Sequence, residues 1–188
     1  MGLFETIKNA FRIPDLRKKM LFTLMMLVIY RIGVAIPVPG VDSAAFANLI
    51  NQLGQLGSFL DIISGGAFAQ VSVFSMGITP YINASIIMQL LTVAIPALER
   101  LQKEGETGRK KIQQYVRYVT VILALVQATA YWYTTRLAGS SKLPPALNAI
   151  MIILSFTAGT AFIMWIGEQI NESGIGNGIS LIIFAGIV

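Results

Sequence analysis

The residue types that most often carry chemistry are scarce in this chain. It has no cysteine and no histidine, which excludes disulfides, zinc sites, thiol nucleophiles and histidine-dependent proteolysis within a membrane. Its nine acidic residues form no visible catalytic constellation. The glycine-rich run "GIGNGIS" at 174–180 lacks the lysine and the preceding strand of a phosphate-binding loop. It is expected to make a tight turn into the helix that follows. No catalytic residue, metal or cofactor is predicted, and the chain is not expected to be an enzyme. What remains is spacing. Ile82, Ile86, Gln89 and Val93 recur at i, i+4, i+7 and i+11, on one helical face. Ile183 and Ile187 repeat the four-residue step. Branched isoleucines are stiff, and pairs from several helices can form an apolar constriction that dewets when empty. Taken alone, the same spacing is far more often ordinary packing.

The first pair sits in "GITPYINASIIMQLL", residues 77–91. Thr79 reads as an N-cap and Pro80 as the first helical position. A helix from Pro80 to Ile95 is about 24 Å long at roughly 1.5 Å per residue, too short for about 30 Å of hydrocarbon. Upstream, the apolar stretch 56–63 is too short to span and ends in the breaker Ser64-Gly65-Gly66. A short helix, a flexible turn and a second helix beginning within the membrane are predicted. Such backbone is tolerated only when buried in protein or lining an aqueous cavity. Asn83, Ser85 and Gln89 are therefore expected to face other helices or water. A proline kink and a transport pathway both satisfy this pattern.

The surrounding elements follow from composition. Hydrophobic residues make up 55% of the chain and charged residues 12%, against about 25% charged in soluble domains. The reading is all-α, a polytopic helical membrane protein. Spans are predicted at 20–38, 74–95, 115–135 and 146–167, and the start of a fifth at 179–188. An amphipathic segment, 1–19, precedes them, expected as an interfacial helix ended by Pro14. It does not read as a cleavable signal peptide, and the fifth span's break-off suggests a piece of a longer chain. "MGLFET" fits a myristoylation pattern only weakly.

Lys8, Arg12, Arg17, Lys18 and Lys19 precede the first span, and Arg100, Lys103, Arg109, Lys110 and Lys111 lie in the 96–114 loop. By the positive-inside rule both are cytoplasmic. The 39–73 segment and the 136–145 loop are then external, and the 168–178 turn is cytoplasmic. The basic loop serves orientation, docking of an anionic or cytosolic partner, or both. Arg31 is expected to snorkel or pair within the bundle. Tyr131, Trp132 and Tyr133 suit an outer aromatic belt, and Trp165 an inner one.

"YRIGVAIPVPG", "LDIISGGAF", "GITPYINASIIMQLL", "KEGETGRKKIQQYVRY" and "GEQINESGIGNGISLIIFAGI" together resemble the SecY family of protein-conducting channel subunits. The match runs nearly end to end and in order. The resemblance implies ten spans in two inverted halves, of which this chain is the first half. It implies a plug around Leu60, Asp61, Ile62, Ile63, Ser64, Gly65 and Gly66, a short helix closing the channel from outside. Ile82, Ile86, Ile183 and Ile187 match positions of the pore ring. Spans two and three match one side of a lateral gate, with Asn83, Ser85 and Gln89 as candidates. The partners implied are SecE, SecG, the SecA ATPase, the ribosome, translocating signal-bearing polypeptides and membrane lipids. No specific nucleic-acid binding is predicted. The implied location is the bacterial cytoplasmic membrane with the N-terminus inside. The competing readings are a secondary transporter of small solutes, which would want a midplane ionisable cluster, and a non-conducting assembly subunit.

Overall fold

Pro14 opens the first helix of the computed structural model, which describes residues 13–42, 44, 47, 48, 51, 54–56, 59, 70–137 and 144–187. The predicted interfacial helix falls on residues 1–12, outside the described residues. Helix α1 runs Pro14–Val34, with Pro14 in its first turn beside Asp15, where a fixed φ and an acid both suit a helix start. It begins ahead of residue 20 and stops at Val34, because Pro37 and Pro39 cannot extend a helix. Its buried side is Thr23, Met26, Tyr30, Gly33 and Val34, a stripe of period near 3.6.

The backbone after α1 is extended and meets a distant stretch. Val38 N–H donates to the Val71 carbonyl at 2.9 Å, and Val73 N–H donates to the Ile36 carbonyl at 3.0 Å. An isolated antiparallel bridge joins Pro37 and Ser72. Residues 71–78 are then a chain of turns rather than the helix that a span at 74–95 would require. They are largely buried, and several of their polar groups pair with one another or with the end of α1 and the backbone after it. Ser72 Oγ donates to the Gly33 carbonyl (3.3 Å) and accepts from Phe74 N–H (3.1 Å), while Ser75 Oγ donates to the Ser72 carbonyl (2.7 Å). Gly77 has φ +57°, a conformation that glycine adopts without steric cost. Two glycines let the stretch lie close to its neighbours. A Cβ at Gly33 would run into the Phe74 ring, and one at Gly159 into the Val73 backbone.

Helix α2, Thr79–Ala94, has 16 residues, matching the short second helix expected. Its N-cap is Ile78, not Thr79, and no side chain caps it. Thr79 is already helical, and Pro80 needs no N–H partner in the first turn. At Ile95 the chain bends by 101° into α3, Pro96–Lys103. Helix α4, Glu106–Leu137, has 32 residues and α5, Pro145–Ser173, has 29. Helix α6 is Gly178–Ile187. Among the described residues, α5 alone is a single helix both long and apolar enough to cross a membrane, and α2 with α3 passes the same test as a bent pair.

The 96–114 stretch, read as a loop, is helical except at the Glu104–Gly105 turn, where Gly105 has φ +80°. Gly108 brings α4 against the Leu101 carbonyl of α3.

Two apolar clusters hold these elements together. The larger joins Met26 and Tyr30 of α1, Phe74 and Ile78, Ala84 and Met88 of α2, Val116 of α4, Ile163 and Ile170 of α5 and Ile182 of α6. The smaller joins Val38, Val71 and Met76 to Ala124 and Ala128 of α4 and to Ile152 and Phe156 of α5. Tyr131, predicted for an aromatic belt, packs on this second cluster, with its ring 5.2 Å from that of Phe156. Tyr133 and Trp165 are exposed. Trp132 is half-buried and lies under the Arg136 guanidinium, 5.8 Å from its ring centroid.

Candidate functional site

The isoleucine row of α2 runs from the core outward. Ile82 is partly buried against the larger cluster, Ile86 is 50% exposed and Val93 is 83% exposed. On α6, Ile183 and Ile187 are exposed, and the intervening inner face is Ile182 and Gly186. The two rows are referenced to each other at one point. A Cβ placed on Gly167 of α5 would lie 3.4 Å from Ile182 Cδ1 and 3.7 Å from Ile78 Cδ1. Ile78 is one helical step before Ile82, and Ile182 adjoins Ile183. Gly167 is thus the seat on which the base of α2 and the flank of α6 meet.

The crossing of α5 and α6 at this seat is tight. A Cβ on Gly178 would strike the Gly167 carbonyl and approach Ile170 Cβ at 2.9 Å. The turn before α6 is the one that "GIGNGIS" predicts, with Gly176 at φ +79°. Asn177 Oδ1 accepts from Ile179 N–H (3.0 Å), capping the new helix. Asn171 Oδ1 accepts from Gly178 N–H at 2.7 Å. Thr23 of α1 fixes the turn from the other side. Its Oγ1 accepts from Ile175 N–H at 3.0 Å while donating to the Lys19 carbonyl at 2.9 Å.

Of the polar residues singled out on α2, two act together. Ser85 and Gln89 line a groove of about 340 Å³ with Tyr81, Thr92, Gln102, Arg109 and Gln113. Its walls are α2, α3 and α4, so these two do face helices and water. Asn83 does not line it. It is exposed on the α2 face shared with Ile87 and Leu90. The predicted plug residues Leu60, Asp61, Ile62, Ile63, Ser64, Gly65 and Gly66 lie outside the described residues. Arg31 is exposed and lines an open apolar groove with Leu24, Val28, Ile32 and Phe184.

Arg100, Lys103, Arg109, Lys110 and Lys111 are all exposed on α3 and the first turns of α4. Lys103 Nζ sits 2.6 Å from Glu99 Oε1 one turn back. In water such a pair contributes little.

Sequence reasoning missed the closest charge contact between helices. Arg117 Nε of α4 lies 2.8 Å from Glu168 Oε1 of α5, and the Glu168 side chain is only 5% exposed. Gln113, one turn before Arg117, adds a contact to the same oxygen at 3.5 Å. A signal was available. Arg117 falls just inside the predicted third span and Glu168 just past the fourth, and ionisable residues at such depths are expensive unless partnered.

A family model described as SecY matches residues 72–188. Over 98% of its length the chain is 48% identical to the protein translocase subunit SecY of Streptomyces scabiei, of which it covers 45%. The corresponding subunit of Thermotoga maritima is 40% identical over 99% of the chain and 46% of that protein. The chain therefore spans about half the length of the curated relatives it matches. Among solved structures, one described as the structure of a protein conducting channel aligns with 99% of this chain and 41% of its own, at TM-score 0.63 and 22% identity. Another, concerned with the plug domain of the SecY protein and the closed state of its channel, aligns at TM-score 0.59 and 23% identity, over 98% of this chain and 40% of its own. At that identity the likeness concerns the fold.

Proposed function

The chain belongs to the SecY family, and from that premise we propose that it supplies the first half of a protein-conducting membrane channel. Ile82, Ile86, Ile183 and Ile187 contribute to an apolar collar at its narrowest point. The observation that carries this reading is the break at residues 71–78, buried in protein and hydrogen-bonded within itself and to Gly33 of α1, from which α2 starts inside the molecule. A span begun at depth presents its first turns, and therefore Ile82 and Ile86, to the interior of an assembly. The exposed rows on α2 and α6 then meet partners from the remainder of the protein.

The physical need is plain. A charged residue at the centre of a membrane costs roughly 2.5–3.5 kcal/mol on insertion scales, so a chain in transit requires a wet path. A ring of stiff isoleucines closes around that chain and dewets when the path is empty. Leu60, Asp61, Ile62, Ile63, Ser64, Gly65 and Gly66 form a plug on the outer side. Helices α2 and α4 form one side of a lateral exit, with Ser85, Gln89 and Asn83 at it. An apolar segment leaving through that exit gains roughly 0.3–0.6 kcal/mol per Leu or Ile.

In this reading the chain lies in the bacterial cytoplasmic membrane, with its N-terminus and the α3 corner inside. Arg100, Lys103, Arg109, Lys110 and Lys111 face cytosolic partners, SecA and the ribosome, while SecE and SecG complete the channel. The solute-transporter and assembly-subunit alternatives draw no support from the relatives' names.

The test is ion conductance of the full complex in planar bilayers. Replacing the four isoleucines with serine should raise the resting conductance. Unchanged conductance with a fully assembled complex would exclude the collar.

A further inference from the structure

The ion pair between α4 and α5, with Glu168 buried and the Arg117 side chain 42% exposed, lies outside the collar, the plug and the basic corner, yet it adjoins the groove along α2. Glu168 follows Gly167, the seat on which Ile78 and Ile182 meet. Its carboxylate holds Arg117 at 2.8 Å and Gln113 at 3.5 Å, two residues one turn apart on the same face of α4. Gln113 also lines the groove along α2, opposite Ser85 and Gln89. Tyr81 of α2 is buried, borders that groove, and lies within electrostatic range of both Glu168 and Arg117. Glu172, one turn further along α5, is exposed and also feels Arg117.

We propose that Glu168 is a positioning residue for the lateral exit, fixing α4 through Arg117 and Gln113 so that the groove between α4 and α2 keeps its width. This rests on the channel reading above. The burial is what makes the assignment. An exposed pair would be exchangeable for water at little cost. A carboxylate 5% exposed at a junction of three helices leaves an uncompensated charge if its partner departs, so α4 is held to one register on α5. Glu172 offers Arg117 a second carboxylate of the same sign one turn away, but a solvated one. It therefore serves as the internal control for charge without burial.

This stretch of chain has no cysteine, so a single Ser85→Cys substitution gives a reporter inside the groove. The rate at which a membrane-impermeant maleimide labels it is measured in the assembled complex, with Glu168 intact, with Glu168→Gln, with Glu172→Gln and with the exchange Arg117→Glu/Glu168→Arg. Glu168→Gln should raise the labelling rate about tenfold, the scale expected for losing one charge-assisted hydrogen bond. Glu172→Gln should leave it within about twofold of the parent, and the exchange should recover most of the difference. Arg117→Lys keeps the charge and loses the Nε geometry. It should give an intermediate rate and covers the case in which Glu168→Gln fails to assemble. An unchanged rate in assembled Glu168→Gln, an equal effect of Glu172→Gln, or no recovery on exchange would overturn the proposal. Export by the parent complex is measured in parallel. Its absence would count against the channel reading and leave the labelling comparison standing.

Discussion

Alanine at Gly178 and alanine at Gly167 face each other across one helix crossing and should behave in opposite ways. At Gly178 the added methyl would overlap the Gly167 carbonyl and stand 2.9 Å from Ile170 Cβ. Carbon atoms in contact prefer roughly 3.5–4.0 Å, so α6 must retreat by about 1 Å. Backbone lies on the far side, and no flexible tip can yield. Overpacking of this kind costs about 1–3 kcal/mol. At Gly167 the nearest atom is Ile182 Cδ1 at 3.4 Å, the end of a side chain that can shift by a few tenths of an ångström. Gly167 is also inside α5, where alanine is favoured over glycine by about 1 kcal/mol. The expected net effect there is near zero. The two variants are compared in the full complex by thermal unfolding and by resting conductance. Gly178→Ala should lower the unfolding midpoint and raise the leak, because Ile183 and Ile187 ride on the displaced helix. Gly167→Ala should do neither. Equal midpoints and equal leaks would refute the reasoning that this crossing sets the position of the α6 row.

Two further outcomes follow from the same joint and from the outer segment. Thr23→Val removes the acceptor for Ile175 N–H and should cost about 1–3 kcal/mol; faster amide exchange at Ile175, with protection retained in Thr23→Ser, checks it. A disulfide engineered between position 60 and α2 should block export until it is reduced, and full export with the bond shown to be closed would remove the plug assignment.

Much of the architecture was legible because it is written in local chemistry. The Thr79-Pro80 pair marked the start of α2, and the glycine-rich run 174–180 marked the turn before α6. The N-cap was misplaced onto Thr79 because residue type alone does not reveal whether a hydroxyl finds an N–H. The basic stretch was read as a loop from its charges, although leucine, glutamate, arginine and lysine are good helix formers. Pro96 and Gly105 were its actual punctuation. The Arg117–Glu168 contact spans 51 positions, and nothing in either neighbourhood names the other. Likewise Ser85 and Gln89 separate from Asn83 only once α4 is in place to form one wall of their groove. The Tyr131–Phe156 ring contact likewise joins two helices that the sequence does not pair.

The clasp between Ile36–Val38 and Val71–Val73 sets a leash on whatever lies between. Both ends of that loop leave from a single point, joined by the Val38–Val71 and Val73–Ile36 hydrogen bonds. The two arms are unequal. Gly66 is five residues from Val71, so at roughly 3.3–3.6 Å per residue it can never stand more than about 18 Å from the clasp. Leu60, on the same side, is eleven residues away, which bounds its distance from the clasp at about 40 Å. Extra residues added between Val38 and Leu60 would leave both of these bounds unchanged, because each is counted from Val71.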